Sequence, residues 1–137
     1  MMPRSVPAAV VLFGAAAAVA ASPAQAAAGH VPPPAPSVVS TRLVLTMTAA
    51  AGWARAVVLE CNPPGGGHPA PADACAAVDA AGGDLSALPA GSGTCTFEYA
   101  PVTAHASGHW RGEPLSWSET FSNACDLSRA TDPVFAF

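Results

Sequence analysis

Seven consecutive residues, Cys95-Thr96-Phe97-Glu98-Tyr99-Ala100-Pro101, carry the most distinctive chemistry of this chain. A cysteine stands two positions before a phenylalanine, and a glutamate, a tyrosine and a proline follow. If Cys95 is oxidised, Phe97 is displayed beside a covalent anchor. A large apolar side chain held that way on an exposed loop suits insertion into a deep apolar pocket of a partner. The spacing also admits a plainer reading, because Cys95, Phe97 and Tyr99 are i, i+2 and i+4 and could face a core together from one strand. Pro101 and the glycines Gly91 and Gly93 make the segment a poor central strand. Glu98 would moreover flank that core with no cation near it in sequence.

Other residue types that could do chemistry do not assemble into a catalytic site. His105 and His109 are four apart, but Ala106 stands where a zinc-protease helix needs its glutamate. Gly108 points instead to a turn, with two surface histidines around a hairpin. Ser92 lies between Gly91 and Gly93, whereas a nucleophile elbow needs glycines two before and two after the serine, where this chain has Ala90 and Thr94. There is no phosphate-cradling glycine loop. The cysteine spacings are irregular and include no Cys-x-x-Cys, so a metal site is not expected. The chain reads as a non-enzyme without cofactor.

The compartment follows from the first residues. Met1–Pro7 carry one cation, Arg4; Ala8–Ala21 is uncharged and apolar; and Ala24-Gln25-Ala26 has the small-x-small form of a signal-peptidase site. Residues 1–26 are expected to be a cleaved signal peptide, with a cut after Ala28 as the other choice. The apolar run is shorter than the roughly 20 residues of a membrane span. Loss of Arg4 takes the formal charge from −4 to −5, as all nine acidic residues remain. That balance excludes nucleic acid and an anionic membrane as partners, since both require clustered cations. The remaining chain keeps all four cysteines, Cys61, Cys75, Cys95 and Cys125. An even count in an exported chain reads as two disulfides. Three pairings are possible, and the sequential one closes the shortest loops.

Residues 27–40, with Pro32-Pro33-Pro34 and Pro36, read as a flexible arm, and residues 41–137 as one folded domain. Leu43, Leu45 and Met47 alternate with Val44, Thr46 and Thr48, a strand with Val44 on its non-core face. Trp53–Glu60 reads as a second strand joined to the first as a hairpin. Asn62–Pro71 is punctuated into a loop by prolines and glycines. A helix is expected from Pro71 to Ala81, stopped by Gly82-Gly83, with Cys75 and Val78 on one face. Leu85 and Leu88 make an apolar turn. Val102–Ala106 reads as a strand, Ser107-Gly108 as a turn, and Leu115, Trp117 and Phe121 as one face of a further strand. Asn123 and Asp126 can cap a short helix through Arg129, and Val134-Phe135-Ala136-Phe137 forms an apolar tail tied to the domain.

Several markers in this order carry a family resemblance. They are Val58-Leu59-Glu60-Cys61, His68-Pro69-Ala70-Pro71 leading to Cys75, Gly82-Gly83-Asp84-Leu85, Cys95-x-x-x-Tyr99-x-Pro101-Val102, Phe121-Ser122-Asn123-x-Cys125 and the ending Val134-Phe135-Ala136-Phe137. From Leu43 to Phe137 the chain resembles the Streptomyces subtilisin inhibitor (SSI-like) family of secreted serine protease inhibitors. The resemblance implies an α+β fold, an antiparallel sheet of about five strands with two helices packed on one face, and the disulfides Cys61–Cys75 and Cys95–Cys125. It places the reactive bond between Phe97 and Glu98, with Cys95, Thr96 and Phe97 at P3, P2 and P1 and Glu98 and Tyr99 at P1′ and P2′. Thr94, Ala100 and Pro101 complete the loop contacts.

Two positions depart from the family pattern. Thr96 stands in place of the common proline at P2, and Glu98 in place of an apolar P1′. An aromatic P1 is expected to fit subtilisin-like and chymotrypsin-like proteases and to be poor for trypsin, whose pocket carries an aspartate. Asn123 is placed to hydrogen-bond the loop from behind. The family typically forms homodimers through its sheets, and the matching positions are Val44 and Trp110, expected as an exposed pair on one sheet face. The alternative function is a small secreted, disulfide-stabilised binding module without a protease target, with Phe97 in its core.

Overall fold

A computed structural model describes residues 39–137 without a break, together with Ala9, Gly14, Ala15, Ala28, Gly29 and residues 31–34. The expected signal segment 1–26 lies outside the described residues except at Ala9, Gly14 and Ala15, and so does Ala26. Of the expected arm, residues 31–34, 39 and 40 carry no helix or strand. Residues 34–137 form one compact unit, which holds every element described among these residues.

Strand β1 (Thr41–Ala49) alternates as its residues dictate, with Leu43, Leu45 and Met47 buried and Val44 on the opposite face. A tight turn through Ala50–Gly52 leads into β2 (Ala54–Cys61), which pairs antiparallel with β1 and sets Leu59 opposite Leu43. The proline- and glycine-rich segment after Cys61 is a loop except for β3 (Gly65–Gly66), a two-residue strand on the free edge of β2. β4 (Val102–Trp110) pairs with the other edge of β1, and β5 (Glu113–Phe121) pairs with β4. The sheet is antiparallel, in the order β3-β2-β1-β4-β5.

Two helices cover one face of this sheet. α1 (Pro71–Ala80) starts at a proline, whose missing N–H costs nothing in a first turn, and carries Asp73 against the helix dipole. It ends at Gly82 and Gly83, both with positive φ. Ala74, Cys75 and Val78 face inward, and the Cys61–Cys75 disulfide ties the helix to the end of β2. A 3₁₀ turn (Leu85–Ala87) then drops Leu85 and Leu88 into the core. α2 (Ala124–Thr131) buries Leu127, and the tail beyond it buries Val134 and Phe135. Leu43, Leu45 and Leu59 are wholly removed from water, each contributing about 1.5–3 kcal/mol by that transfer.

His68, in the loop before α1, locks the tail in place. Its Nδ1 accepts the Ala70 N–H at 3.0 Å, so Nε2 is the donor to the Val134 carbonyl at 2.9 Å. Its ring also meets Phe137 edge to face. One buried imidazole thereby joins the start of α1 to the end of the chain.

The structure corrects the reading of the fourth strand. Ser107-Gly108 is not a turn; β4 runs through it to Trp110, and the chain turns at Arg111-Gly112. His105 and His109 therefore lie along one strand and not around a hairpin. Gly108 is required for a different reason: at φ 142°, any Cβ would stand 2.2 Å from the Arg42 carbonyl oxygen of the neighbouring strand. The glycine lets two strands approach closely.

The extension of β4 also relocates Trp110. It shares the inward parity of Val102, Ala104 and Ala106, so it does not stand with Val44 on the open face. Its ring lies over Gly83, where a Cβ would be 2.7 Å from ring carbons, and its Nε1–H donates to Asp79 at 3.0 Å. Arg111 stacks on the same ring and pairs with Asp79. Trp110 closes the α1 end of its own core.

Gly108→Ala is expected to cost about 3 kcal/mol, through strained φ and the clash with Arg42. In thermal unfolding that corresponds to a loss of roughly 12–24 °C for a domain of this size. A variant melting within about 3 °C of the parent contradicts the close approach.

Candidate functional site

Between the 3₁₀ turn and β4 the chain runs without helix or strand from Leu88 to Pro101. Glycines and prolines at its ends keep it out of the ladder. Phe97 is fully exposed at 103% of its reference area, and Tyr99 is 82% exposed. The i, i+2, i+4 alternation of Cys95, Phe97 and Tyr99 thus does not point into the core. Thr94, Thr96, Glu98 and Ala100 are exposed as well, while Cys95 and Pro101 are half-buried.

This open segment is nevertheless fastened along its length. On the amino side of Phe97, the Cys95–Cys125 disulfide joins the loop to the first turn of α2. Further back, the Gly91 N–H donates to the Arg129 carbonyl at 2.6 Å. On the carboxyl side, the Ala100 N–H donates to the Ser122 carbonyl at 2.9 Å, and the Pro101 carbonyl accepts from the Ala50 N–H at 3.1 Å. Of the three possible cysteine pairings, the structure has the sequential one.

The centre is held by Asn123, which is 5% exposed. Its amide donates to the Glu98 carbonyl at 2.9 Å and to the Thr96 carbonyl at 3.3 Å. Its own side-chain oxygen accepts the Asp126 N–H at 2.9 Å, which makes it the N-cap of α2. The main chain is thereby restrained on both sides of Phe97, whose side chain is fully exposed.

Two grooves separate this ridge from its surroundings. One, of about 420 Å³, lies between the loop and α2 and is lined by Asn123, Asp126 and Arg129. The other, of about 190 Å³, lies between the loop and the β1–β2 turn, with Trp53 and Ala51 on its far wall. Among the described residues no group of three or more His, Cys, Asp or Glu side chains could hold a metal ion.

The structure brings Cys95, Phe97, Glu98, Asn123 and Cys125 into one assembly. Val44 stays on the open sheet face, 41% exposed, and is not near the loop; Trp110 is on the opposite face. Sequence reasoning missed the contributions of Ser122, Arg129 and Ala50, because each acts through its main chain and any residue type could serve. It also gave no sign that Trp53, just before β2 and 40% exposed, would line the groove beside the loop.

Asn123→Asp separates the two duties of this residue. The carboxylate still caps α2, but the donors to Thr96 and Glu98 are gone. Backbone order parameters at Thr96–Glu98 are expected to fall below about 0.6 with those of α2 unchanged; both this variant and Asn123→Ala should lower stability by about 1–3 kcal/mol, and only Asn123→Ala should also loosen the start of α2. NMR relaxation and denaturant unfolding measure the two effects.

With this geometry established, comparison with known proteins is informative. Residues 38–123 match the family described as subtilisin inhibitor-like. Subtilisin inhibitor-like protein 1 of Streptomyces cacaoi is 46% identical over 107 residues, covering 75% of this chain and 97% of the relative. Subtilisin inhibitor of Streptomyces albogriseolus is 39% identical over 143 residues, covering 98% and 91%. Among solved structures, Streptomyces caespitosus sermetstatin in complex with Bacillus licheniformis subtilisin superposes with a TM-score of 0.61 at 36% identity, covering 72% of this chain and 99% of sermetstatin. These relatives carry the names of protease inhibitors, not of enzymes.

Proposed function

This chain belongs to the subtilisin inhibitor-like family, and on that premise we propose that it is an exported inhibitor of serine endopeptidases with Phe97–Glu98 as its reactive bond. The observation that carries this reading is the hold of Asn123 on the carbonyls to either side of Phe97. It leaves one peptide bond both exposed and unable to move.

The chemistry follows from that restraint. A protease lays the loop along its substrate cleft as an extended strand and fills its S1 pocket with Phe97. Its serine oxygen attacks the Phe97 carbonyl carbon, the carbon–nitrogen bond to Glu98 breaks, and the protease histidine delivers a proton to the departing nitrogen. In an ordinary substrate the new amine then diffuses away. Here the Glu98 amine stays beside the ester, because Ala100 and Pro101 are bonded to Ser122 and Ala50 and Cys95 holds the acyl side to Cys125. The effective concentration of that tethered amine makes religation compete with water. A loop already rigid also loses little conformational entropy on docking, so a standard-size interface becomes tight.

Specificity is assigned to Phe97. Its aromatic ring suits the apolar pockets of subtilisin-like and chymotrypsin-like enzymes and leaves the buried aspartate of a trypsin pocket unpaired. Export through cleavage of residues 1–26 would deliver the chain to the compartment where such proteases act and where both disulfides persist. No helix among the described residues is long and apolar enough to cross a membrane.

A homodimer formed by the open sheet face extends the same proposal. Val44 lies opposite Val58 on one side and Ser107 on the other, an apolar pair flanked on the same face by Thr46, His105 and the Arg42–Glu60 ion pair. Trp110 takes no part in this version, since it is packed beneath the sheet. Val44→Glu would place a charge at the centre of that contact. Sedimentation should show a dimer for the parent and a monomer for the variant; a parent that sediments as a monomer at high micromolar concentration ends the dimer proposal.

Titration against subtilisin should abolish proteolysis at a one-to-one ratio of sites. Steady digestion at Phe97–Glu98 without loss of protease activity would replace the inhibitor with a plain binding module. Phe97→Lys should gain trypsin inhibition and weaken chymotrypsin inhibition by at least about a hundredfold. Undiminished chymotrypsin inhibition by this variant would show that Phe97 is not the P1 residue.

A further inference from the structure

The groove on the β1–β2 side of the loop has a wall that the reactive bond alone does not explain. Trp53, the residue before β2, is a large aromatic left 40% exposed. It lines the same groove as Glu98, Ala100 and Ala51. Arg55 lies over its ring at 5.7 Å from the centroid and donates to the main-chain oxygen of Phe137. The guanidinium packs on the indole, which remains partly open to solvent.

The turn that carries this tryptophan is not a free appendage. The Ala49 N–H donates to the Trp53 carbonyl, the Gly52 N–H to the Ala49 carbonyl, and the Ala50 N–H to the Pro101 carbonyl. Register adds to this, as Ala49 pairs with Val102 across β1 and β4. The turn is thus fixed relative to residues Ala100 and Pro101, which follow the reactive bond. Its exposed apolar surface is continuous with that of the loop through the shared groove.

We propose that Trp53 and the Ala50–Gly52 turn form a second contact surface for the bound protease, on the primed side of the Phe97–Glu98 bond. This rests on the inhibitor reading given above. The occupant is the rim of the protease cleft just beyond the subsites for Glu98 and Tyr99, and its chemistry is apolar at the indole. Aromatic side chains of this kind, rigid and half-exposed at the edge of an interface, bury much area at little entropic cost. The contact would act on the lifetime of the complex and not on the bond rearrangement, since neither Trp53 nor Ala51 touches the reacting atoms.

Two variants test this with subtilisin as the probe. Trp53→Ala removes the aromatic surface, while Ala51→Arg leaves Trp53 in place and puts a bulky cation on an exposed turn position where it disturbs no core packing. Each is expected to speed dissociation from subtilisin about tenfold, an effect of the size that separates contact residues from bystanders. The rate of loop cleavage at Phe97–Glu98, read at low pH by chromatography, should stay at the parental value. If both variants dissociate like the parent, or if cleavage accelerates in step with dissociation, the surface is not a contact and the proposal falls while the inhibitor reading stands. If the parent itself fails to inhibit subtilisin, both readings fall together.

Discussion

The functional end of this molecule depends on one buried amide. Asn123 uses its side chain in two directions, giving hydrogen bonds up to Thr96 and Glu98 and taking one from Asp126. Because the residue is almost wholly out of water, any of these bonds left unmade costs about 1–3 kcal/mol. Movement of the loop leaves the buried amide donors unpartnered, and fraying of the start of α2 leaves the amide oxygen unpartnered. The disulfide from Cys95 to Cys125 reinforces the same pairing, one residue before Thr96 and two after Asn123. Covalent and hydrogen-bonded restraints thus converge on a stretch of chain that has no secondary structure of its own.

The sheet supplies the platform for that convergence. β5 ends at Phe121, which is buried, so Ser122 and Asn123 leave the sheet from a fixed point. β4 begins at Val102, and its pairing with Ala49 brings the first hairpin turn to the same end of the domain. The loop is spanned between strand starts and strand ends that are all in register with one another. Stability of the core and sharpness of the loop are consequently one property: loosening β1, the strand with Leu43, Leu45 and Met47 on its inner face, would loosen the frame on which the loop is stretched.

Much of this was legible in the residues. Alternation announced β1 and β5, punctuation by proline and paired glycines bounded α1, and the tail Val134–Phe137 was readable as packed. The location of the loop followed from Pro101 and its glycine neighbours once the pattern was weighed against strand chemistry, although the bare i, i+2, i+4 spacing pointed the other way. What the residues concealed falls into two kinds. Gly108 was read as a turn because glycine has two uses, positive φ and close approach, and a strand that needs both looks like a break. The pairing of Trp110 with Val44 came from the family resemblance, and only the full length of β4 shows that the parity of Trp110 is that of the inner face. The other kind is contact through the main chain, as at Ala50, Ser122 and Arg129, where the side chain has no part in the bond and leaves no trace in sequence.

The seating of Trp110 on Gly83 reaches beyond this chain. There is no space for a Cβ at Gly83 while the indole is in place, and positive φ there already favours glycine. The two positions lie in separate elements, one past the end of α1 and the other at the end of β4, yet they form a single steric lock. Across homologues sharing this packing they should drift as a coupled pair: a lineage that trades the indole for a smaller residue gains the freedom to fill the space above the helix end, and a lineage that keeps it has its glycine held in place by selection.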